Sequence, residues 1–193
     1  MRVASDRPIW QDGNLRTLLA GARSSTILAA VRNATPGLPI CNGTLPLVHD
    51  SWSFILNGFV EDFRSSYMRA LRSSLPDDLY GSLADSSDSE TLFLLALAAI
   101  RRGASMLDAL HDVRSTVLEA LNSERHEAQL TMVLADSERI ALLHTSSRDA
   151  TNSLYTAAVH PLAPEGTLVA SEQLDDHTSW RVVAPHDGIY LTL

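Results

Sequence analysis

The amino-acid sequence predicts an α+β layered domain. Three observations predict it. Short β-rich apolar runs occupy both ends of the chain, while the helical patterns cluster between them. The 193 residues suit one domain, and no repeat, low-complexity tract or linker divides them. Apolar residues make up 45% and charged residues 20%, a balance that closes a core.

In chain order, Asn14 reads as the cap of a short helix through about Ala22. Thr26 to Val31 is apolar and partly β-branched, a buried strand that runs into the turn signal Pro36-Gly37. Ser51 to Leu56 reads as a second strand, ended by Asn57-Gly58. Phe59, Phe63, Tyr67, Ala70 and Leu71 fall on one helical face, so the spacing predicts a helix from Phe59 to Leu75, stopped by Pro76. Ser87-Asp88-Ser89-Glu90 matches a capping box ahead of the apolar run Leu92 to Ile100, with Gly103 as the C-terminal cap. Ser105 to Leu121 is an amphipathic helix. Gln129 to Ala135 and Ile140 to His144 read as a hairpin around Asp136-Ser137-Glu138. Short strands follow near Leu154 to Ala158, Thr167 to Ala170, Trp180 to Val183 and Gly188 to Thr192.

Counting excludes several chemistries. All 15 basic residues are Arg, so these residues contain no phosphate-loop, kinase or Schiff-base lysine. A net charge of −8 disfavours nucleic acid as a partner, because a binder must displace counterions with positive charge. The longest apolar run is too short to span a bilayer, and the first residues lack the pattern of a signal peptide; a cytoplasmic location is expected. The single cysteine, Cys41, permits no internal disulfide. The seven histidines (His49, His111, His126, His144, His160, His177 and His186) lack ligand spacing, and His126-Glu127 lacks the second histidine of H-E-x-x-H. No metal or cofactor is expected. No G-x-S-x-G elbow is present.

Five residues remain as candidates for chemistry. Asn57-Gly58 is a tight-turn signal; alternatively, an amide side chain and a backbone N–H there face one point, as an oxyanion hole requires. Arg32 is either a surface ion-pair partner or a fork for a carboxylate. Asp88 either complements a helix N-terminus or holds an ammonium group. Cys41 is either a small apolar residue or a nucleophile, and it has no free amine to act as its base.

The order of these residues is more specific than any one of them. Arg32-Asn33-Ala34-Thr35, then Leu56-Asn57-Gly58, then Asp88-Ser89-Glu90 before a long apolar helix, resembles the class II glutamine amidotransferase family and its R-x-A-T, H-N-G and D-S/T-E motifs. Pro8 to Asp12, Ala29 to Arg32, and Val169 to Asp176 with Trp180 resemble the branch that includes the ergothioneine-biosynthesis γ-glutamyl amidohydrolases. The resemblance covers nearly the whole chain, as a single class II glutamine amidotransferase-like domain over 1–193. It implies the four-layer α/β/β/α sandwich of the N-terminal-nucleophile hydrolases.

The resemblance also implies roles. Arg32 would clamp the α-carboxylate of a γ-glutamyl substrate, with Thr35 supporting that loop. Asp88 would hold the α-ammonium, and Asn57 with the Gly58 N–H would stabilise the tetrahedral oxyanion. The implied substrate is a γ-glutamyl-hercynylcysteine S-oxide. The alternatives are a glutamine amidotransferase subunit feeding ammonia to a synthase, or a non-catalytic paralogue that binds a γ-glutamyl ligand or a partner protein. A homo-oligomer or a synthase complex is the macromolecular assembly this admits. Two departures shape the expectation. The family's nucleophile is an N-terminal cysteine, whereas this sequence opens Met1-Arg2; it is expected to be N-terminally incomplete, to lack the nucleophile strand, and to be inactive as it stands. Leu56 replaces the histidine before Asn-Gly, and Leu47 stands where Pro-Phe or Pro-His is usual.

Overall fold

A computed structural model describes residues 2–3, 5, 9–31, 44–122, 126–148 and 151–192. Two antiparallel sheets and one helical layer build it. Strand β1 (Leu47–His49) pairs with β2 (Trp52–Val60), which pairs with β3 (Ala128–Ala135) and, through it, β4 (Arg139–Ser146). The last strand, β8 (Gly188–Thr192), returns beside β4 to complete a five-stranded sheet. The intervening strands β5 (Tyr155–His160), β6 (Ala163–Ala170) and β7 (Trp180–Val182) form a second, three-stranded sheet in the order β6-β5-β7.

Side-chain alternation decides which face of the larger sheet meets which layer. Phe54, Leu56, Met132, Leu134, Ala141 and Leu143 face the helices α4 (Asp88–Arg101) and α5 (Met106–Leu121). Phe54 stacks on Phe93 with ring centroids 5.3 Å apart. The opposite face carries Ile55, Val133, Leu142 and Ile189; the last three pack with Val169 of the second sheet and with Leu154 and Val183 at its strand ends.

The buried helix α4 is apolar all round because it has a sheet on one side and α5 on another. The side chain of Ser87 accepts from Glu90 N at 3.1 Å, the first half of a capping box. The second half is replaced: Glu90 turns its carboxylate to the N–H groups of Ala84 and Asp85. Gly103, at φ 96°, ends the helix in the left-handed conformation that a residue with a Cβ resists. At the β3–β4 turn, Asp136 accepts from the N–H groups of both Glu138 and Arg139, which closes the expected hairpin.

Several expectations are corrected. Asp12, not Asn14, caps α1 (Gly13–Gly21), accepting from Asn14 N and Leu15 N. No residue of α1 is buried, so it adds no fourth layer; among the described residues the order is helices, sheet, sheet. Residues 26–31 alternate between half-buried and exposed as a strand does, yet they join no ladder. Leu28 and Ala30 reach the core, yet no described strand pairs with the segment, so hydrophobic pattern alone misreads it. The helix expected from Phe59 is also different. Phe59 and Val60 finish β2; a π-helical turn (Phe63–Tyr67) then leads into α2 (Met68–Arg72), and Pro76 precedes a separate helix, α3 (Asp77–Gly81). Among the described residues no helix is long and apolar enough to cross a membrane.

Candidate functional site

A cleft of about 900 Å3 lies between the two sheets. Its floor is the inner face of the larger sheet, and it is laid in rows. One row is apolar: Ile55, Val133, Leu142 and Ile189 sit side by side across β2, β3, β4 and β8. Two residues further along, the row becomes polar: Asn57 opposes Thr131, and Thr131 opposes His144. Residues 27–31 form one wall, and Thr167, Val169 and Ala170 of β6 contribute to another.

Asn57 and Gly58 do not turn. Strand β2 runs through them to Val60 in unbroken register with β3. The glycine is required for another reason. At φ 156° it approaches β3 so closely that a Cβ would lie 1.8 Å from the Gln129 carbonyl oxygen. Strand β1 covers β2 only along Trp52 to Phe54, so the far edge of β2 from Ile55 onward has no strand beside it among the described residues. On that edge the Val60 N–H donates to Asp88 Oδ2 at 3.0 Å. Strand alternation places the Gly58 N–H on the same side.

Asp88 is thereby tied to the end of β2. Its Oδ1 accepts from Ser89 N at 2.7 Å and from Ser89 Oγ at 3.2 Å. It is half-buried and lines the cleft together with Asn57, Gly58 and Thr131. The loop ahead of it is fixed by Glu90, by Arg72, which donates to Asp85 O at 2.8 Å, and by Arg64, which donates to Ser86 O at 3.2 Å. Burial pushes the Glu90 carboxyl up, against the two N–H groups that favour its charge. The fold therefore brings Asn57, Gly58 and Asp88 to one end of one cleft. Arg32, Thr35 and Cys41 lie outside the described residues.

One buried neighbour of the cleft-lining Thr131 goes unnoticed by motif reading. His144, one of seven histidines without ligand spacing, is 1% exposed and both its ring nitrogens are engaged. Its Nδ1 lies 2.8 Å from Thr131 Oγ1 and its Nε2 lies 2.9 Å from Thr151 Oγ1. Burial, then the neighbouring His186, holds its pKa below the ordinary 6.5, against the opposing pull of Asp187. The signal was legible: Thr131 and His144 are buried polar residues in the largely apolar strands β3 and β4. From the next loop, Asn152 Nδ2 donates to the Asn57 carbonyl at 3.4 Å.

A second buried histidine has a different environment. His160 contacts Asp175 Oδ1 at 3.0 Å, and that oxygen also accepts from Trp180 Nε1 at 3.0 Å and from His177 N at 3.1 Å. These hydrogen bonds, Trp180's first, pull the Asp175 pKa down to about 2. The group binds β5 to β7 and does not line the cleft. Among the described residues no three His, Cys, Asp or Glu side chains converge as metal ligands would.

Comparisons with known proteins agree with this architecture. The chain is 31% identical over 180 residues, 93% of its length, to the γ-glutamyl-hercynylcysteine sulfoxide hydrolase of Mycolicibacterium smegmatis, and it covers 66% of that protein. The Mycobacterium tuberculosis protein of the same name is also 31% identical, with 64% of it covered. A probable glutamine amidotransferase of Saccharomyces cerevisiae, DUG3, is 26% identical over 77% of this chain and 47% of its own. The chain thus spans just under two thirds of the length of the hydrolases it matches. A solved glutamine aminotransferase class-II domain protein from Silicibacter pomeroyi superposes with a TM-score of 0.76, at 24% identity, over 96% of this chain and 78% of the other; that likeness shows a shared fold. No protein-family model matches the chain.

Proposed function

We propose that this chain carries the γ-glutamyl site of an amide hydrolase of the class II glutamine amidotransferase type. One observation carries the reading: Asn57, Gly58 and Asp88, distant in sequence, line one end of one cleft. Asp88 holds the substrate ammonium, and Arg32 forks its carboxylate with Thr35 supporting the loop. When a nucleophile attacks the γ-carbonyl, its oxygen becomes an oxyanion. The Asn57 Nδ2–H and the Gly58 N–H on the open edge of β2 then stabilise it, each donor lowering the barrier by roughly 3 kcal/mol. The nucleophile in this chemistry is an N-terminal cysteine thiol whose own amine serves as base; no residue of this chain is assigned that part.

The named relatives support γ-glutamyl-hercynylcysteine S-oxide as the substrate, and with it a place in ergothioneine synthesis in the cytoplasm. The yeast relative's name supports a second reading, in which glutamine is the substrate and its ammonia passes to a synthase. Leu56, buried where the motif has histidine, supports a third, in which the cleft binds a γ-glutamyl ligand without turning it over.

Thermal shift with γ-glutamylcysteine, a γ-glutamyl S-conjugate and L-glutamine tests the proposal. The conjugates should raise the melting temperature, and Arg32→Ala with Asp88→Asn should abolish the rise. The asparagine retains an oxygen for the Val60 N–H while removing the charge, so an unchanged shift in this double variant refutes the assignment. A response to L-glutamine alone, with glutaminase activity appearing on addition of a synthase, would favour the second reading.

A further inference from the structure

We propose that the apolar end of the cleft seats the amine portion of a γ-glutamyl amide, and that this portion is an uncharged alkyl or aromatic group. The inference rests on the γ-glutamyl reading above and narrows its substrate class. One ground is size. At about 900 Å3 the cleft lies near the top of the range of roughly 300–1,000 Å3 that holds drug-sized ligands, far more than a glutamyl group fills.

A second ground is the order of groups along β2. Asp88 meets the strand at the Val60 N–H. Gly58, Asn57 and Ile55 follow in turn, and all three line the cleft together with Asp88. A strand rises about 3.3 Å per residue, so the Val60 and Gly58 N–H groups stand about 7 Å apart on the open edge. An extended glutamyl group, with a hydrogen bond at each end, spans that gap from its ammonium to its γ-carbonyl oxygen. The amide nitrogen lies beyond the carbonyl. It therefore points away from Asp88 and toward Ile55.

The lining in that direction is apolar. Ile55, Val133, Leu142 and Ile189 form one row across four strands, and Ile140 and Leu191 extend the floor by a further row. Val133, Ile140, Ile189 and Leu191 are only half-buried, although they line the space between two sheets. Inner-face side chains of a closed sandwich interdigitate. These four keep surface that an apolar ligand removes from water. Asp88 is the only charged side chain among the described lining residues; the polar ones, such as Thr167 and Ser171 on the wall, are neutral. A charged amine portion would lose its hydration there without gaining a partner of opposite sign, a cost that an alkyl chain or a ring escapes. L-Glutamine, whose amide nitrogen carries only hydrogen, leaves both rows uncovered.

Calorimetric titration with a ladder of γ-glutamyl amides tests this: L-glutamine, then its N-methyl, N-ethyl, N-propyl and N-butyl derivatives. Affinity should rise about fourfold per methylene from methyl to butyl. Val133→Thr puts a hydroxyl in the row and should cut the rise to about twofold or less. If that variant fails to fold, the wild-type ladder decides alone. N-butylacetamide carries the same amide and chain without the glutamyl head. In carbon-13 methyl spectra it should shift Ile55, Ile140, Leu142 and Ile189 together. A flat ladder among amides that do bind overturns the apolar subsite and leaves the γ-glutamyl reading standing. If N-butylacetamide shifts these methyls but no γ-glutamyl amide binds more tightly than it does, the subsite stands and the γ-glutamyl reading falls. No methyl shift and no binding overturn both.

Discussion

On the helix side of the five-stranded sheet, Phe54, Leu56, Met132, Leu134, Ala141 and Leu143 are packed against α4 and α5 with almost no exposure. On the cleft side, the residues between them in the same strands line about 900 Å3 of open volume. There the apolar row of Ile55, Val133 and Leu142 gives way to Asn57 and Thr131, with His144 buried beside Thr131. The strands are identical and only the parity of the residue number differs. A packed face leaves no room for polar groups, because every one must be paired inside it. An open face can hold a polar row, provided the row pairs with itself and leaves one end for a ligand.

The comparison can be broken at several points. The largest effect belongs to the strand that serves both faces. Gly58→Ala drives a Cβ into the β3 backbone and should cost about 4 kcal/mol or more, or prevent folding, as read by urea denaturation. Truncations on the two faces should then differ. Phe93→Ala, which removes the ring stacked on Phe54, should cost about 3–5 kcal/mol. Val133→Ala, on the open face, should cost about 1 kcal/mol, because the wall beside it is already partly empty. Equal costs would show that the cleft is closed in solution.

A smaller effect sharpens the contrast through pH. The folded state lowers the His144 pKa, so the unfolded chain binds its proton first as pH falls. The contribution is intact above 6.5 and is lost as pH drops through the folded value, at no more than about 1.4 kcal/mol per pH unit. Melting temperatures from pH 8 to pH 5 should show this arm in the wild type and a flatter one in His144→Gln. The smallest effect lies in the second sheet. Trp180→Phe removes the leading cause of Asp175's low pKa, so that pKa, followed by carbon-13 NMR, should rise from about 2 toward 3.8. With the native pKa depressed, Asp175 contributes stability above pH 3.8 that is lost as pH falls toward 2.

Much of this was legible in the residues. The capped, apolar α4, the amphipathic α5, the Asp136 hairpin and the four later strands follow from local periodicity and turn chemistry, which act within a few residues. Asn57, Gly58 and Asp88 were singled out by motif, and the fold gathers them. Other features were not local. Asn57-Gly58 has the chemistry of a turn, but continuous pairing with β3 keeps it a strand. Phe59 and Val60 continue that pairing, which overrides the helical spacing that Phe59 shares with Phe63. Residues 26–31 have a strand's alternation but pair with no strand among the described residues.

Sequence alone determined which residues are apolar, where α4 and α5 start and stop, and which side chains carry chemistry. These depend on near neighbours and on the groups themselves. Tertiary structure alone decided that β8 returns beside β4, that Gly58 must be glycine, that Glu90 caps a loop and not its own helix, and that His144 lies two strands from Asn57 on the same face. Each of these depends on a register between strands or on a contact across a loop. Such pairings are fixed by what the whole sheet buries, and no window along the chain contains both partners.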